Sequence, residues 1–358
     1  MRGPSLHCAG PPTPGTAVLA RLIRLRWPIP VALAAAVVLV VAIGIVAGAD
    51  DDALVVYNGR SHYGDEQVFE DFEEATGIEV ELRGGTAPEL YERLHREGED
   101  TPADVLITTD LANLWRADDA GLLQPAASEA LEGTVPAELR SPDGTWWALT
   151  TRLRVPVVAT DRVDPSEVTS YESLGDPRFR GRTCLRTSTN EYNQSLVADM
   201  IAKRGREATK ALLESWMAND PRIIPSDGEL LAIMADGGCD VGLTNHYYLA
   251  RAIAENPDFP VAPAWPVEGA GAHANVSGMG LVRGSDRVED AVALMEFLVT
   301  REAQARIVER GEFAVNPEVP PAEHIRDWVD VRIDPIDVER AGPLLADAVE
   351  LMLEVGWT

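Results

Sequence analysis

Short apolar runs alternate with helix-patterned stretches from residue 53 onward, and that alternation leaves few folds open. "ALVVYNG" ends in turn formers and is followed by "DEQVFEDFEEATG", in which Val68, Phe69 and Phe72 share one helix face. "IEVELRGG" reads as a strand, "APELYERLHREGED" as a helix, "ADVLITTD" as a strand and "LANLWRADDAG" as a helix. Repeated βα units predict an α/β protein with a mostly parallel sheet, helices on both faces and ligands at the carboxyl ends of the strands.

The pattern then changes. "WWALTTRLRVPVVATDRV" is one long extended stretch, suited to carrying the chain out of a first lobe. Alternation resumes with "GRTCLRT" as strand, three helical segments between residues 191 and 238, and the strand "CDVGLTN" leading into "HYYLARAIAENP". "SGMGLVRGSD" reads as a strand returning to the first lobe, followed by a helical pair and a final helix at "GPLLADAVELMLEVG". The expected division is 50–150 with about 265–320 as the first lobe, and 151–264 with part of 321–358 as the second.

Residues 28–49 carry no charge and follow Arg21, Arg24 and Arg26, so they are long enough for one membrane crossing with the basic side in the cytoplasm. The run ends in "AGA", which suits signal-peptidase cleavage, while its length suits an uncleaved transmembrane anchor; both readings stand. Either way residues 50–358 are exported, leaving 1–49 as a basic segment plus signal or anchor. With 27 Lys plus Arg against 58 Asp plus Glu, the exported part has a formal charge of −31. Such a charge repels phosphates and excludes nucleic acid as a partner. The acids are spread along the chain, as on a solvated surface. Cys184 and Cys239 are the only exported cysteines, and either a bridge or two buried thiols fits the compartment. No Cys/His spacing of a structural zinc site is present.

Tyrosine supplies the candidate chemistry. Tyr247 and Tyr248 follow the strand "CDVGLTN" directly, His62 and Tyr63 follow the first strand, and Tyr192 opens "EYNQS". A phenol is a poor ligand until its proton, with a reference pKa of about 10, is displaced, so clustered phenols suit a strongly Lewis-acidic trivalent ion such as Fe(III). Aromatic packing competes with this reading for the adjacent pair, and a half-buried hydroxyl competes for Tyr192. Arg152 and Arg154 are suited to a small anion or to balancing phenolate charge, with a surface salt bridge as the plainer role.

Several separated segments, in order, carry a family resemblance: "VYNGRSHYGDEQVFEDFEEATGI", "ADVLITTDLANLWRADDAGLLQP", "WWALTTRLRVPVV", "LRTSTNEYNQSLVADMI", "TNHYYLAR", "GAHANVSGMGLV" and "GEFAVNPEVP". Over residues 54–320 the chain resembles the ferric-iron substrate-binding proteins of ABC transporters, in their tyrosine-rich subgroup. The resemblance implies a two-lobed periplasmic-binding-protein fold of type II, each lobe a mixed sheet flanked by helices, with the ligand cleft between the lobes. It implies capture of Fe(III) and its delivery by a monomeric protein to a membrane permease with a cytoplasmic ATPase. Tyr63, Tyr192, Tyr247 and Tyr248 fall on the family's iron ligands, with His62 as an additional one. Arg152 and Arg154 fall near its synergistic anion, carbonate or another small anion. One departure is visible: Ser61 separates Arg60 from the His62–Tyr63 pair, where the family has arginine directly before it. A receptor for another anion or small organic ligand, and a metal-assisted hydrolase, are the alternatives; no His/carboxylate motif or nucleophile elbow supports the second.

Overall fold

The computed structural model describes residues 53–60, 66–328 and 330–358. Its strands are β1 (Leu54–Asn58), β2 (Val80–Gly84), β3 (Val105–Thr108), β4 (Leu123–Gln124), β5 (Trp147–Ala159), β6 (Thr183–Arg186), β7 (Arg222–Ile224), β8 (Val241–Asn245), β9 (Val261–Pro263), β10 (Ala272–Val282), β11 (Phe313–Ala314) and β12 (Ile333–Pro335). The helices are α1 (Gln67–Thr76), α2 (Ala87–Glu97), α3 (Leu111–Asp119), α4 (Glu129–Thr134), α5 (Glu191–Arg204), α6 (Arg206–Met217), α7 (Asp227–Ala235), α8 (His246–Glu255), α9 (Val288–Leu298), α10 (Arg301–Ile307), α11 (Val338–Ala341) and α12 (Leu345–Glu354).

Local chemistry explains the boundaries. Val68, Phe69 and Phe72 form the buried stripe of α1, as their spacing predicts. Thr86 and Glu89 close a capping box at the start of α2, where proline fits the first turn. Asp110 caps α3 by accepting the Ala112 N–H.

The strands join in the order β2-β1-β3-β10-β5-β8-β6-β7, with β4 and β12 paired to β10, and β9 and β11 paired to β5. Pairing is parallel at the two ends, β2-β1-β3 and β8-β6-β7, as the βα alternation predicts. The centre is antiparallel, so the sheet is mixed, as the family resemblance implies, and not the mostly parallel one that βα alternation alone suggests. The cause is the pair of long strands: β5 carries the chain away and β10 brings it back alongside, which needs no crossover helix.

One apolar core lies under β1, β3 and the far end of β10, built by Phe72, Leu94, Leu114, Met279 and Leu294. A second gathers Leu196, Leu213, Trp216, Leu243, Leu351 and Trp357, with the last tryptophan edge-on to Trp216 at 5.9 Å. A third lies between β5, α7 and α8. The transmembrane helix expected at 28–49 lies outside the described residues. Among the described residues no helix is long and apolar enough to cross a membrane, and the transmembrane helix is corrected out of the described structure.

The two exported cysteines are bridged, Cys184 from β6 to Cys239 before β8, across a sequence separation of 55. Closing a loop of that length in the unfolded chain stabilises the fold by about 4 kcal/mol in the chain-entropy account. Thermal unfolding with and without reductant is expected to show a lower Tm in the reduced protein. Coincident melts would remove the bridge as a stabilising element.

Candidate metal centre

Among the described residues no group of three or more His, Cys, Asp and Glu side chains is placed to hold a metal ion, which leaves the phenols. Two helices bring them together. Tyr192 is the second residue of α5, and Tyr247 and Tyr248 are the second and third of α8. Each helix starts where a strand or turn ends, so the side chains sit at helix N-termini, where the local field favours negative charge. The hydroxyl oxygens of Tyr192 and Tyr247 lie 3.4 Å apart, and the rings of Tyr247 and Tyr248 stack with centroids 4.5 Å apart. Tyr192 and Tyr247 are buried and Tyr248 is half-buried. His62 and Tyr63 lie outside the described residues; the described chain before them ends at buried Arg60, two residues past β1.

Burial, and then the neighbouring Tyr192 and Tyr248, push the Tyr247 phenol well above its ordinary value of 10, while Arg152 pulls it back. The unloaded site therefore holds a protonated Tyr247. Arginines surround the rings. Arg152 stands 4.7 Å above the Tyr192 ring, Arg251 stands 4.9 Å above the Tyr247 ring, and Arg186 lies 5.7 Å from Tyr192. Cation–π attraction fixes ring orientation without occupying the hydroxyls.

Arg152 and Arg154 project from one face of β5, as residues two apart in a strand must. Their surroundings differ. Arg152 reaches Asp110 at 3.4 Å and the Tyr192 ring. Arg154 is fully buried, bonded to Asp227 at 3.2 Å, to the Asn193 side chain at 2.8 Å and to the Asn245 side chain at 3.1 Å. Asn245 in turn lies within 3.5 Å of the Tyr247 hydroxyl, so Arg154 supports the cluster from below.

His246, beside the tyrosines, is not free to ligate through Nδ1, which accepts the Leu153 N–H at 3.0 Å. Its ring stacks on Phe313 at 4.6 Å, and burial pushes its imidazole down to about 3. Glycine is required nearby at Gly311: its φ is +99°, and a Cβ there would stand 2.5 Å from the Ala250 Cβ, so the 311–313 segment packs tightly on α8.

Sequence reasoning did not find Asp110, Asn193, Asp227, Asn245 or Arg186. Arg251 was within reach, because it follows Tyr247 by four residues on a helix and so shares its face.

A mixed α/β sheet with phenols presented at helix N-termini beside the central strands is the architecture of a solute-binding protein. The chain belongs to the family described as bacterial extracellular solute-binding protein, whose model matches residues 100–330. It is 40% identical over 315 residues to Iron uptake protein A1 of Synechocystis sp. (strain ATCC 27184 / PCC 6803 / Kazusa), covering 84% of this chain and 86% of that protein. The Fe(3+)-binding periplasmic protein of Serratia marcescens is 27% identical over 339 residues, 91% of this chain and 97% of the relative. Among solved structures, Trichodesmium IdiA (FutA) in complex with iron and citrate ligands superposes with a TM-score of 0.79 at 36% identity. That match covers 86% of this chain and 100% of the other. Apo FutA2 from Synechocystis PCC6803 gives a TM-score of 0.77 at 34% identity, over 86% and 99% of the two chains. These comparisons bear out the family drawn from the sequence, ferric-iron substrate-binding proteins of ABC transporters, which are extracytoplasmic transport proteins rather than enzymes.

Proposed function

We propose that this protein binds Fe(III) with high affinity outside the cytoplasm and delivers it to an ABC permease, driven by a cytoplasmic ATPase, for iron import. The observation that carries the reading is the meeting of three phenols from two helices, with the Tyr192 and Tyr247 oxygens 3.4 Å apart and the Tyr248 ring stacked on Tyr247. Three phenolates balance a trivalent ion, and His62 and Tyr63 from the segment after β1 complete its coordination. The relatives named for iron support the same cargo.

The fold is proposed to be the two-lobed, type II arrangement, with 50–150 and about 265–320 in one lobe and 151–264 with part of 321–358 in the other. Support comes from the separate apolar cores on either side of the β5/β10 centre. Residues 1–49 are proposed as the export signal. Carbonate or another small anion is proposed to accompany the metal; Arg152, packed on Tyr192, is the nearer guanidinium, while the charge of Arg154 is already balanced by Asp227.

Titrating the purified protein with chelated Fe(III) is expected to produce a saturable tyrosinate-to-iron charge-transfer band at one iron per protein. The band is expected to be lost in a Tyr247→Phe/Tyr248→Phe variant. A flat spectrum with no difference between the two proteins would remove the ferric reading.

A further inference from the structure

Asp110 lies at the end of the first βαβα run, outside the phenol cluster, yet four elements converge on it. One carboxylate oxygen accepts the Ala112 N–H of its own helix at 2.8 Å. The other accepts the Ser195 hydroxyl of α5 at 2.7 Å, the Asn275 amide of β10 at 3.0 Å and Arg152 of β5 at 3.4 Å. Asp110 and Ser195 are both fully buried. Ser195 follows Tyr192 by three residues and so sits on the same face of α5, one turn along. Arg152, held from the other side by the same carboxylate, covers the Tyr192 ring. Asp110 thus grips the surroundings of Tyr192 twice, through its helix and through its ring.

Apolar packing does not duplicate this tie. A cavity of about 470 Å³ opens between α2, α3, α5 and α12, with Asp110, Asn113, Glu191 and Ser195 in its wall. Across that gap, the Asp110–Ser195 bond ties the start of α3 to the first turns of α5.

We infer that Asp110 is a positioning residue for ferric capture: through Ser195 and Arg152 it holds Tyr192 against Tyr247. The inference rests on the ferric reading given above. Burial raises the Asp110 pKa while Arg152 and the Ser195 hydroxyl pull it back, and losing the buried Ser195–Asp110 hydrogen bond loosens the Tyr192 arm by enough to change iron retention about tenfold or more.

The test loads the full-length protein with Fe(III), adds an excess of a hexadentate hydroxamate chelator, and follows decay of the charge-transfer band. Ser195→Ala is expected to release iron at least about tenfold faster than wild type, with Tm within a few degrees. Ser195→Thr, which keeps the hydroxyl and has the cavity beside it for the methyl, is expected to restore slow release. Asp110→Asn is expected to release iron at least as fast as Ser195→Ala; if it does not fold, Ser195→Ala decides alone. A wild-type band with an unchanged release rate in Ser195→Ala overturns the positioning role and leaves the ferric reading intact. A wild-type protein without a band overturns the ferric reading, and the inference falls with it.

Discussion

Iron affinity is expected to fall by up to about ten-thousandfold for each unit of pH lowered, because each of the four phenols proposed to ligate, Tyr63, Tyr192, Tyr247 and Tyr248, gives up one proton and contributes about tenfold per unit. Tyr247 anchors the argument: burial and the two neighbouring phenols raise its pKa well above 10, so the unloaded protein carries it protonated and Fe(III) must expel that proton. The sign for affinity is therefore unambiguous, with binding favoured as pH rises. Folding stability has its own signs. A raised Tyr247 pKa adds stability that is fully present below about pH 10 and lost only as pH rises beyond it. His246 is depressed from 6.5 to about 3, so its contribution is present above about 6.5 and lost as pH falls toward 3. Between about pH 6.5 and 8.5 neither group makes folding depend on pH, and iron loss in that window reports ligation. Proton release on loading in weakly buffered solution, corrected for the chelate, is expected to be near four per iron and to drop by one in Tyr247→Phe. Loading without proton release would show that phenolates are not the ligands.

The legible parts of this protein were those encoded locally. Short apolar runs marked β1 and β3, helical spacing of apolar residues marked α1, and the position of Tyr247 just after β8 was visible because a strand ends there. Neighbour relations in the sheet are not visible in the residues: nothing in "SGMGLVRGSD" says that its strand inserts between β3 and β5, so the mixed sheet came from the family resemblance and not from the periodicity. The polar scaffold of the site was hidden for a related reason. Asp110 meets Ser195 across 85 residues and Asn275 across 165, and Arg154 meets Asp227 across 73. In a chain with 58 acids, a carboxylate destined for the interior has no local mark to separate it from those on the surface. The arginine pair shows the consequence, since spacing placed Arg152 and Arg154 on one face of β5 but gave neither its partner.

That buried partner makes the second large effect. Asp227 accepts both Arg154, at 3.2 Å, and Arg186, at 3.4 Å, and both Asp227 and Arg154 are out of solvent. Taking the carboxylate's charge away in Asp227→Asn leaves Arg154 as a buried cation without compensation, which costs about 3–5 kcal/mol. A fall in Tm of roughly 10 °C is expected. Replacing both partners with apolar side chains of similar size, Arg154→Met with Asp227→Leu, is expected to recover part of that loss, because the two desolvated charges are removed together while Arg186 loses its carboxylate and the Asn193 and Asn245 oxygens lose the Arg154 donor. Iron separates two roles for Arg154. With its charge spent on Asp227, the doubly substituted protein is expected to bind one Fe(III) with the charge-transfer band retained, and Arg152 is left as the guanidinium at the phenols. A stable double variant that loads no iron would instead place Arg154 in anion or charge balance at the metal, alongside Arg152. A single Asp227→Asn variant that melts with the wild type would show that this pair contributes nothing to the fold.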